Sequence, residues 1–305
     1  MLEELFYQEK ELFLQKLHPA AAMLHICTLL VLSLIFTNPL YLVGIFLCTG
    51  LSVYALEGLQ TWKLFIKGGL LMTVPIMIIN PLVSRAGATI LWHGPRLPVF
   101  GKITVSLEAV FYGAVMSMRL LDVISIFCLY NIMVHPDKAL NILERFAFKS
   151  ALVLSLATRM FPAMIRHLEN IKQVQVVRGV DFSTGSFRQK LDKYTNLIYI
   201  LLLSSLEDSM EMAEAMQARA FGSGRRMCYV RDVFKPEDFI CAASSMTALF
   251  VGALGAVKGY GVMNFYPYLG SVYSMGDIYL LAFMLAMLSV PTLLSWGWHR
   301  CRYFR

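Results

Sequence analysis

Charged side chains are scarce in this chain. They make up 15% of its 305 residues, whereas an average soluble domain carries roughly 25%. Hydrophobic residues make up 57% of the sequence, and its mean hydropathy is +0.61. This deficit of charge excludes an ordinary soluble protein. It predicts an all-α, polytopic membrane protein, because a helix satisfies its own backbone hydrogen bonds in lipid.

The sequence also lacks the patterns that mark catalytic and metal sites. None of the six histidines pairs with another at i, i+4 spacing, and no G-x-S-x-G segment occurs. Gly101-Lys102 resembles the end of a phosphate-binding loop, but Ile103 stands where Ser or Thr must bind magnesium. The six cysteines form no C-x-x-C pair, and we interpret them as small core hydrophobes. The sequence therefore predicts no catalytic residue, no metal site and no cofactor.

Long apolar runs are what the chain does contain. A spanning helix needs about 20 mostly apolar residues, and six stretches reach or approach that length. They are 20–37, 39–57, 64–83, 106–132, 238–257 and 278–297. Pro75 and Pro81 are expected to kink or end the third stretch. Gly, Pro and aromatic residues crowd 84–105 and 258–277, which are predicted to be connecting loops.

The distribution of Lys and Arg predicts the orientation, since cytoplasmic loops of membrane proteins are enriched in both. Of the 27 basic residues, 15 lie in 138–235. We therefore expect a multi-pass protein of the cell membrane with both termini in the cytoplasm. Residues 1–132 are predicted to form a bundle of four spans, 133–237 a cytoplasmic region and 238–305 two further spans.

The basic block is predicted to consist of two long helices that start in the bundle and emerge into the cytoplasm. We expect one from Ser150 to Arg178 and the other from Thr195 to Ala220. Each ends in a single Arg, and the two lie 41 residues apart: Val177-Arg178-Gly179 and Ala218-Arg219-Ala220-Phe221-Gly222. The helix dipole favours a cation at this end. The five donors of the guanidinium can then reach carboxylates or carbonyls of a partner protein.

The emergent halves of these helices carry apolar stripes. One stripe is Met164, Leu168 and Ile171, and the other is Leu206, Met210 and Ala213. We expect the helices to cross and pack through these stripes. Periodicity alone leaves two alternatives open. In one, the two helices are surface helices that pack on each other and bind no partner. In the other, both lie in the lipid interface.

Arg119 and Asp122 lie within the fourth span at i, i+3 spacing. Charges at membrane depth are functional candidates, because burying them is costly. The two side chains either neutralise each other on one helix face or contact other helices, and the sequence does not decide between these interpretations.

Several segments resemble the transmembrane (T) component of energy-coupling factor transporters, which take up vitamins and transition-metal ions. The weaker matches are Leu17-His18-Pro19, where the family has Leu-Asp-Pro, and the segments Thr37-Asn38-Pro39-Leu40, Asn80-Pro81-Leu82, Leu107-Glu108-Ala109 and Met118-Arg119-Leu120-Leu121. The more specific matches are Thr158-Arg159-Met160-Phe161-Pro162, followed by Ile171, Gln175, Arg178 and Gly179, and the segment from Glu214 to Gly222.

The chain departs from the family pattern at both helix ends. Family members usually show Ala-Arg-Gly there, whereas Val177 replaces the first Ala and Ala220 the second Gly. Since Ala resists the left-handed conformation that Gly adopts, we expect Gly222 to supply the break after the second helix.

The resemblance implies a scaffold without an ATPase of its own. Its two coupling helices would insert into grooves of two ABC-type ATPase subunits, identical or paralogous. The docking residues would be Arg178, Gly179, Ala218, Arg219, Ala220 and Gly222. A small membrane substrate-binding (S) subunit and the lipid bilayer would be the other partners, and no nucleic acid is implied.

Two rival functions are considered beside this one. A polytopic enzyme acting on lipid or prenyl substrates calls for clustered Asp or His near an interface, and the sequence shows none. A stand-alone carrier calls for polar residues along a shared path on several spans, but the charges near the middle of a predicted span are confined to Arg119 and Asp122.

Overall fold

Helices make up nearly all of the described chain, as the sequence predicts. The computed structural model describes residues 12–84, 87–97, 101–135, 148–182, 184, 186–221, 234–266 and 275–300. In chain order the elements of this part are α1 (Phe13–Lys16), α2 (Pro19–Ile35), α3 (Pro39–Ala55), α4 (Leu59–Val83), β1 (Ile90–Leu97), β2 (Gly101–Ser106), α5 (Leu107–Met133), α6 (Phe148–Val177), α7 (Phe187–Ala218), α8 (Pro236–Val257) and α9 (Met275–Arg300).

Each of the six stretches predicted to span the membrane contains a helix. By length and composition, α4, α5, α8 and α9 are long and apolar enough to cross a bilayer. The apolar helices α2 and α3 have 17 residues each, which corresponds to about 25 Å and is near the lower limit for a spanning helix. The structure therefore supports a polytopic all-α membrane protein.

The chain forms two compact units, and the larger combines Met1–Ala139 with Val233–Arg305. In this unit α5 packs against α2, α3 and α4, while α8 packs against α2 and α9. Leu29 and Leu32 of α2 and Ile126 and Leu129 of α5 are fully buried in its apolar core. Helix α5 is thus the central element around which α2, α3 and α4 are arranged.

A buried carboxylate joins the beginnings of α2 and α8. Asp238 accepts hydrogen bonds from the backbone N–H groups of His18 (2.7 Å) and Lys235 (2.8 Å). His18 stands where the resembling family has Asp, and its Nδ1 atom caps α2 by accepting from the Ala20 N–H. A carboxylate with two backbone donors is a strong anchor, since charge-assisted hydrogen bonds exceed neutral ones in strength.

The turn between α2 and α3 is held by the segment that follows α8. The N–H groups of Thr37 and Asn38 both donate to the Gly261 carbonyl at 3.1 Å. The N–H of Met263 donates to Oγ1 of Thr37 at 2.8 Å. The Asn38 side chain caps α3 by accepting from the Leu40 N–H. The family-like segment beginning at Thr37 is therefore a capped turn whose backbone is bonded to a second loop.

The stretch 84–105 is not only the loop that the sequence predicts. It contains an antiparallel hairpin in which Ile90 pairs with Ser106 and Leu97 with Gly101. The register shifts between His93 and Arg96, and this interval contains Gly94-Pro95. Proline removes a ladder donor and is tolerated at such irregularities. Pro95 therefore made the sequence look like a loop, although a strand forms there.

Neither proline in the third predicted span ends its helix. Pro75 and Pro81 both lie inside α4, which continues to Val83. Of the two expected outcomes, a kink or an end of the helix, the structure therefore rules out the end.

The second compact unit is Leu140–Asp232, and its helices α6 and α7 pack against each other. Helix α6 has 30 residues and α7 has 32, which correspond to about 45 and 48 Å. Helix α7 begins at Phe187, eight residues before the predicted Thr195, because a capping box of Ser186 and Gln189 starts it there.

Candidate functional site: two matched helix ends

Helix α6 ends in a Schellman motif centred on Gly179. Arg178 follows the last helical residue, and Gly179 adopts the left-handed conformation with φ +88°. The Gly179 N–H donates to the Val176 carbonyl and the Val180 N–H to the Gln175 carbonyl, each at 3.0 Å. This pair of bonds is the signature of the motif and satisfies carbonyls that the helix leaves unpaired.

Helix α7 also ends in a Schellman motif, and its left-handed residue is the one that follows Arg219. The Ala220 N–H donates to the Gln217 carbonyl (2.9 Å) and the Phe221 N–H to the Met216 carbonyl (3.0 Å). Ala220 itself adopts the left-handed conformation with φ +53°. The expectation that Gly222 supplies the break is therefore wrong: the helix ends before it, and Gly222 lies outside the described residues. Arg178 and Arg219 occupy equivalent positions in two equivalent motifs.

Both arginine side chains are exposed. In the part of the chain that the structure describes, neither guanidinium has a hydrogen-bond or ion-pair partner. Apolar side chains flank them, since Val177 is 88% and Phe221 45% exposed. Ala218, the last residue of α7, is exposed as well. Each helix end thus presents five unused donors beside apolar surface, a composition typical of the core of protein–protein interfaces.

The segment after Arg178 is folded onto the start of α7. The Lys193 ammonium donates to the backbone carbonyls of Asp181 and Thr184. The Phe182 ring is buried and packs on Tyr194, with ring centroids 5.5 Å apart. These contacts anchor the connection between the two helices, so the Arg178 end is not a free terminus.

Helices α6 and α7 meet at His167 and Asp208, whose Nδ1 and Oδ2 atoms are 3.9 Å apart. His167 precedes Arg178 by 11 residues, and Asp208 precedes Arg219 by the same number. Each arginine therefore lies about 16 Å beyond this contact along its own helix. The 41-residue offset between the arginines is also the offset between the two residues that touch.

The less exposed side of α7 lies next to the side that carries the predicted apolar stripe and does not coincide with it. Leu206 and Met210 are 55% and 66% exposed, and Ala213 is exposed too. The less exposed residues of α7 are Lys190, Lys193, Leu197, Leu201, Ser204, Ser205, Asp208, Met212 and Met216. On α6, Leu168 and Ile171 are partly buried, whereas Met164 is exposed. The structure therefore leaves the predicted stripe on α7 exposed, and the packing of the two stripes on each other stays a prediction.

Arg119 and Asp122 do not form the direct pair that one interpretation proposed. Nη2 of Arg119 donates to the Phe36 carbonyl at 2.9 Å, and Nη1 lies 3.8 Å from the Met116 sulfur. Both carboxylate oxygens of Asp122 are buried without a hydrogen-bond partner among the described residues. The arginine thus donates to another helix, and its charge also acts on the nearby Asp122 carboxyl without a hydrogen bond between them.

Two buried carboxylates were not singled out from the sequence. Glu108 accepts from the N–H and hydroxyl groups of Thr89 and fastens the hairpin to α5. Asp238 anchors α2 to α8 as described above. A signal for Asp238 was available, because Pro236 at the first helical position with Asp two residues later is typical of a helix start.

Comparisons with known proteins identify the family of the chain. The profile of the family described as "CbiQ: Cobalt transport protein" matches residues 12–230. The energy-coupling factor transporter transmembrane protein EcfT of Bacillus subtilis (strain 168) is 25% identical over 216 residues, which cover 65% of this chain and 82% of that protein.

Two further relatives carry the same description. EcfT of Staphylococcus aureus (strain 04-02981) is 22% identical over 227 residues, covering 68% of this chain and 80% of that protein. EcfT 1 of Listeria monocytogenes serotype 1/2a (strain 08-5578) is 25% identical over 214 residues, covering 66% and 78% respectively. The family match covers more than half of the chain and includes both helix ends, so this protein belongs to the CbiQ family and is the transmembrane (T) component of an energy-coupling factor transporter.

Proposed function

We propose that this chain is the non-catalytic scaffold through which two ABC-type ATPase subunits drive a small substrate-binding (S) subunit of the membrane. The ATPases, identical or paralogous, would dock on the ends of α6 and α7. The S subunit would select the vitamin or transition-metal ion that is taken up. The observation that carries this proposal is the repeated Schellman ending, which presents Arg178 and Arg219 in equivalent backbone settings.

A docking role fits the chemistry of these ends. An arginine fork binds carboxylates and backbone carbonyls with defined geometry, and its charge does not depend on pH in the physiological range. A guanidinium that is exposed and has no partner among the described residues gives up none of the described contacts when it binds. Truncating such an arginine at the centre of an interface typically costs about 2–4 kcal/mol of binding free energy.

Transmission of motion fits the contact between the helices. Because α6 and α7 touch at His167 and Asp208, a displacement at one arginine reaches the other helix through side-chain packing. In this proposal the second compact unit lies in the cytoplasm, together with both chain termini. Its exposed apolar side chains would contact the S subunit or the cytoplasmic surface of the bilayer.

The test is the double substitution Arg178→Ala and Arg219→Ala in the chain expressed with its ATPase and S subunits. We expect the ATPases to be lost on mild detergent purification, or uptake to cease while hydrolysis continues, because both docking forks are gone. Arg166→Ala is the matched control, since Arg166 is an exposed arginine in the middle of α6. Assembly and uptake at wild-type rates in the double variant would contradict the proposal.

A further inference from the structure

The two matched helix ends differ in the charge that leads up to them. Residues 166–178, which end at Arg178, include three Lys or Arg side chains and one Glu, whereas the corresponding residues 207–219 include four Asp or Glu side chains and one Arg. The backbone ending is nevertheless the same, because both helices close in a Schellman motif. Two ends of one geometry therefore offer their partners electrostatic surroundings of opposite sign.

The negative charge at the end of α7 comes mainly from one carboxylate row. Glu207, Glu211 and Glu214 follow each other at i, i+4 and i+7, so they lie on one face of the helix, and all three are exposed. Glu214 precedes Arg219 by five residues, which correspond to about 8 Å. The row thus borders the docking end itself. The matched residues of α6 include no carboxylate and are also exposed: Arg166, Asn170 and Gln173.

The carboxylate row does not serve α7 itself. None of its three side chains has a hydrogen-bond or ion-pair partner in the described part of the chain. Like charges at i, i+4 spacing destabilise a helix, and the helix dipole disfavours negative charge towards the C-terminus. Anionic lipids of the cytoplasmic leaflet would repel the row as well. A protein surface rich in Lys or Arg is the neighbour that these charges favour.

We propose that the carboxylate row selects the ATPase that docks at Arg219: the groove of that subunit is bordered by Lys or Arg, and the groove that docks at Arg178 is not. The arginines hold an ATPase at each end, and the row decides which one binds at α7. Charges around an interface act mainly on partner choice, because like charges brought face to face exclude the wrong partner. The inference rests on the proposed function, and it requires the two ATPases to be different polypeptides.

The first experiment identifies the polypeptide at each helix end. Val176 and Gln217 are exposed, and each precedes its arginine by two residues. In the full chain co-expressed with its ATPase and S subunits, one or the other position carries the photoreactive amino acid benzoylphenylalanine, and mass spectrometry identifies the captured subunit. We expect the two positions to capture different ATPases, with a preference of about tenfold at position 217, the scale that three exposed charge contacts provide. Capture of the same polypeptide at both positions would overturn the proposal.

The second experiment tests the carboxylate row. Glu207→Gln, Glu211→Gln and Glu214→Gln, introduced together, remove the charge and keep a similar size and helix propensity. We expect both ATPases to be captured about equally at position 217, because either one then fits the end of α7. The matched control is the triple change to Asp, which keeps the charge and should keep the preference. An unchanged preference in the Gln variant, or an equal loss in the Asp variant, would overturn the proposal.

Salt provides an independent readout in the purified full chain mixed with its ATPases. Raising the ionic strength from about 0.1 M to about 1 M shortens the screening length from about 10 Å to about 3 Å. The wild-type preference at position 217 should therefore fall towards that of the Gln variant, which should not respond to salt. A wild-type preference that is independent of salt would assign the selection to shape and overturn the proposal.

The outcomes separate selection from docking. If the ATPases are captured without preference at both positions, docking stands and selection is wrong. If no ATPase is captured at either position and the variant with Arg178→Ala and Arg219→Ala still transports, docking is wrong and selection falls with it.

Discussion

Ala220 bears backbone strain that its counterpart Gly179 does not. Both residues hold the left-handed position of a Schellman motif, at φ +53° and +88°. An L-residue with a Cβ atom pays roughly 1–2 kcal/mol for that conformation, whereas glycine does not. The second helix end is therefore built like the first but at a higher conformational cost.

Replacing Ala220 by Gly should consequently stabilise the protein. We expect Ala220→Gly to raise the free energy of unfolding of the second unit by about 1 kcal/mol. Gly179→Ala should lower it by a similar amount. No atom lies within 4 Å of the position that a Cβ would take at Gly179, so this change reports backbone strain alone. Chemical denaturation of the purified chain measures both.

The pair of variants also provides its own control. If Ala220→Gly is neutral while Gly179→Ala is costly, the strain at Ala220 is relieved in solution and the two ends are not equivalent. At this scale the sequence singled out Arg178 and Arg219, and their docking role stays a prediction. It did not predict φ at Ala220, because propensity argues against a left-handed alanine and only the hydrogen bonds of its neighbours impose it.

At the scale of elements, the packing face of α7 is the clearest difference between expectation and structure. The periodicity argument chose Leu206, Met210 and Ala213 because they are apolar, yet the residue of α7 that approaches His167 of α6 is the half-exposed Asp208. In a membrane-associated chain the apolar residues serve contacts to lipid and other subunits as well as internal packing. Hydrophobicity therefore does not show whether a given apolar face contacts lipid, another subunit or the rest of the chain.

Cross-linking distinguishes the two faces. A cysteine pair at His167 and Asp208 should react rapidly with a short bifunctional thiol reagent, since these side chains approach to 3.9 Å. A pair at Met164 and Leu206, the faces first predicted, should react more slowly if the two helices meet at His167 and Asp208, because cross-linking requires the two sulfur atoms to lie within the span of the reagent. Gel mobility of the cross-linked chain after proteolysis between the helices measures both rates. Faster reaction of the Met164–Leu206 pair would reject the structural assignment.

At the scale of the whole molecule, composition and apolar run length were sufficient for the class of protein and for its helical segments. The described elements reproduce the six predicted segments, because length and hydrophobicity are properties that the bilayer selects directly. The buried anchors Glu108 and Asp238 were not foreseen. Their partners lie up to 220 residues away in the chain, and no local pattern encodes such a pairing.

The orientation of the chain is testable by labelling. In a chain freed of its native cysteines, Ser186→Cys should not react with an impermeant maleimide added to intact cells, because the basic block is expected inside. Lys258→Cys is the matched control, since Lys258 is exposed in a loop expected outside. Ready labelling at Ser186 and protection at Lys258 would reverse the predicted topology.

The equal spacing of the two arginines from the His167–Asp208 contact has a mechanical meaning. When two helices touch at one contact and their ends lie equally far from it, a rotation about the contact moves both ends by the same distance. With arms of about 16 Å, a change of about 10° in the crossing angle alters the separation of the tips by about 3 Å at most. Closure of two partners bound at the tips would thus be converted into rotation at the pivot, divided evenly between the two helices.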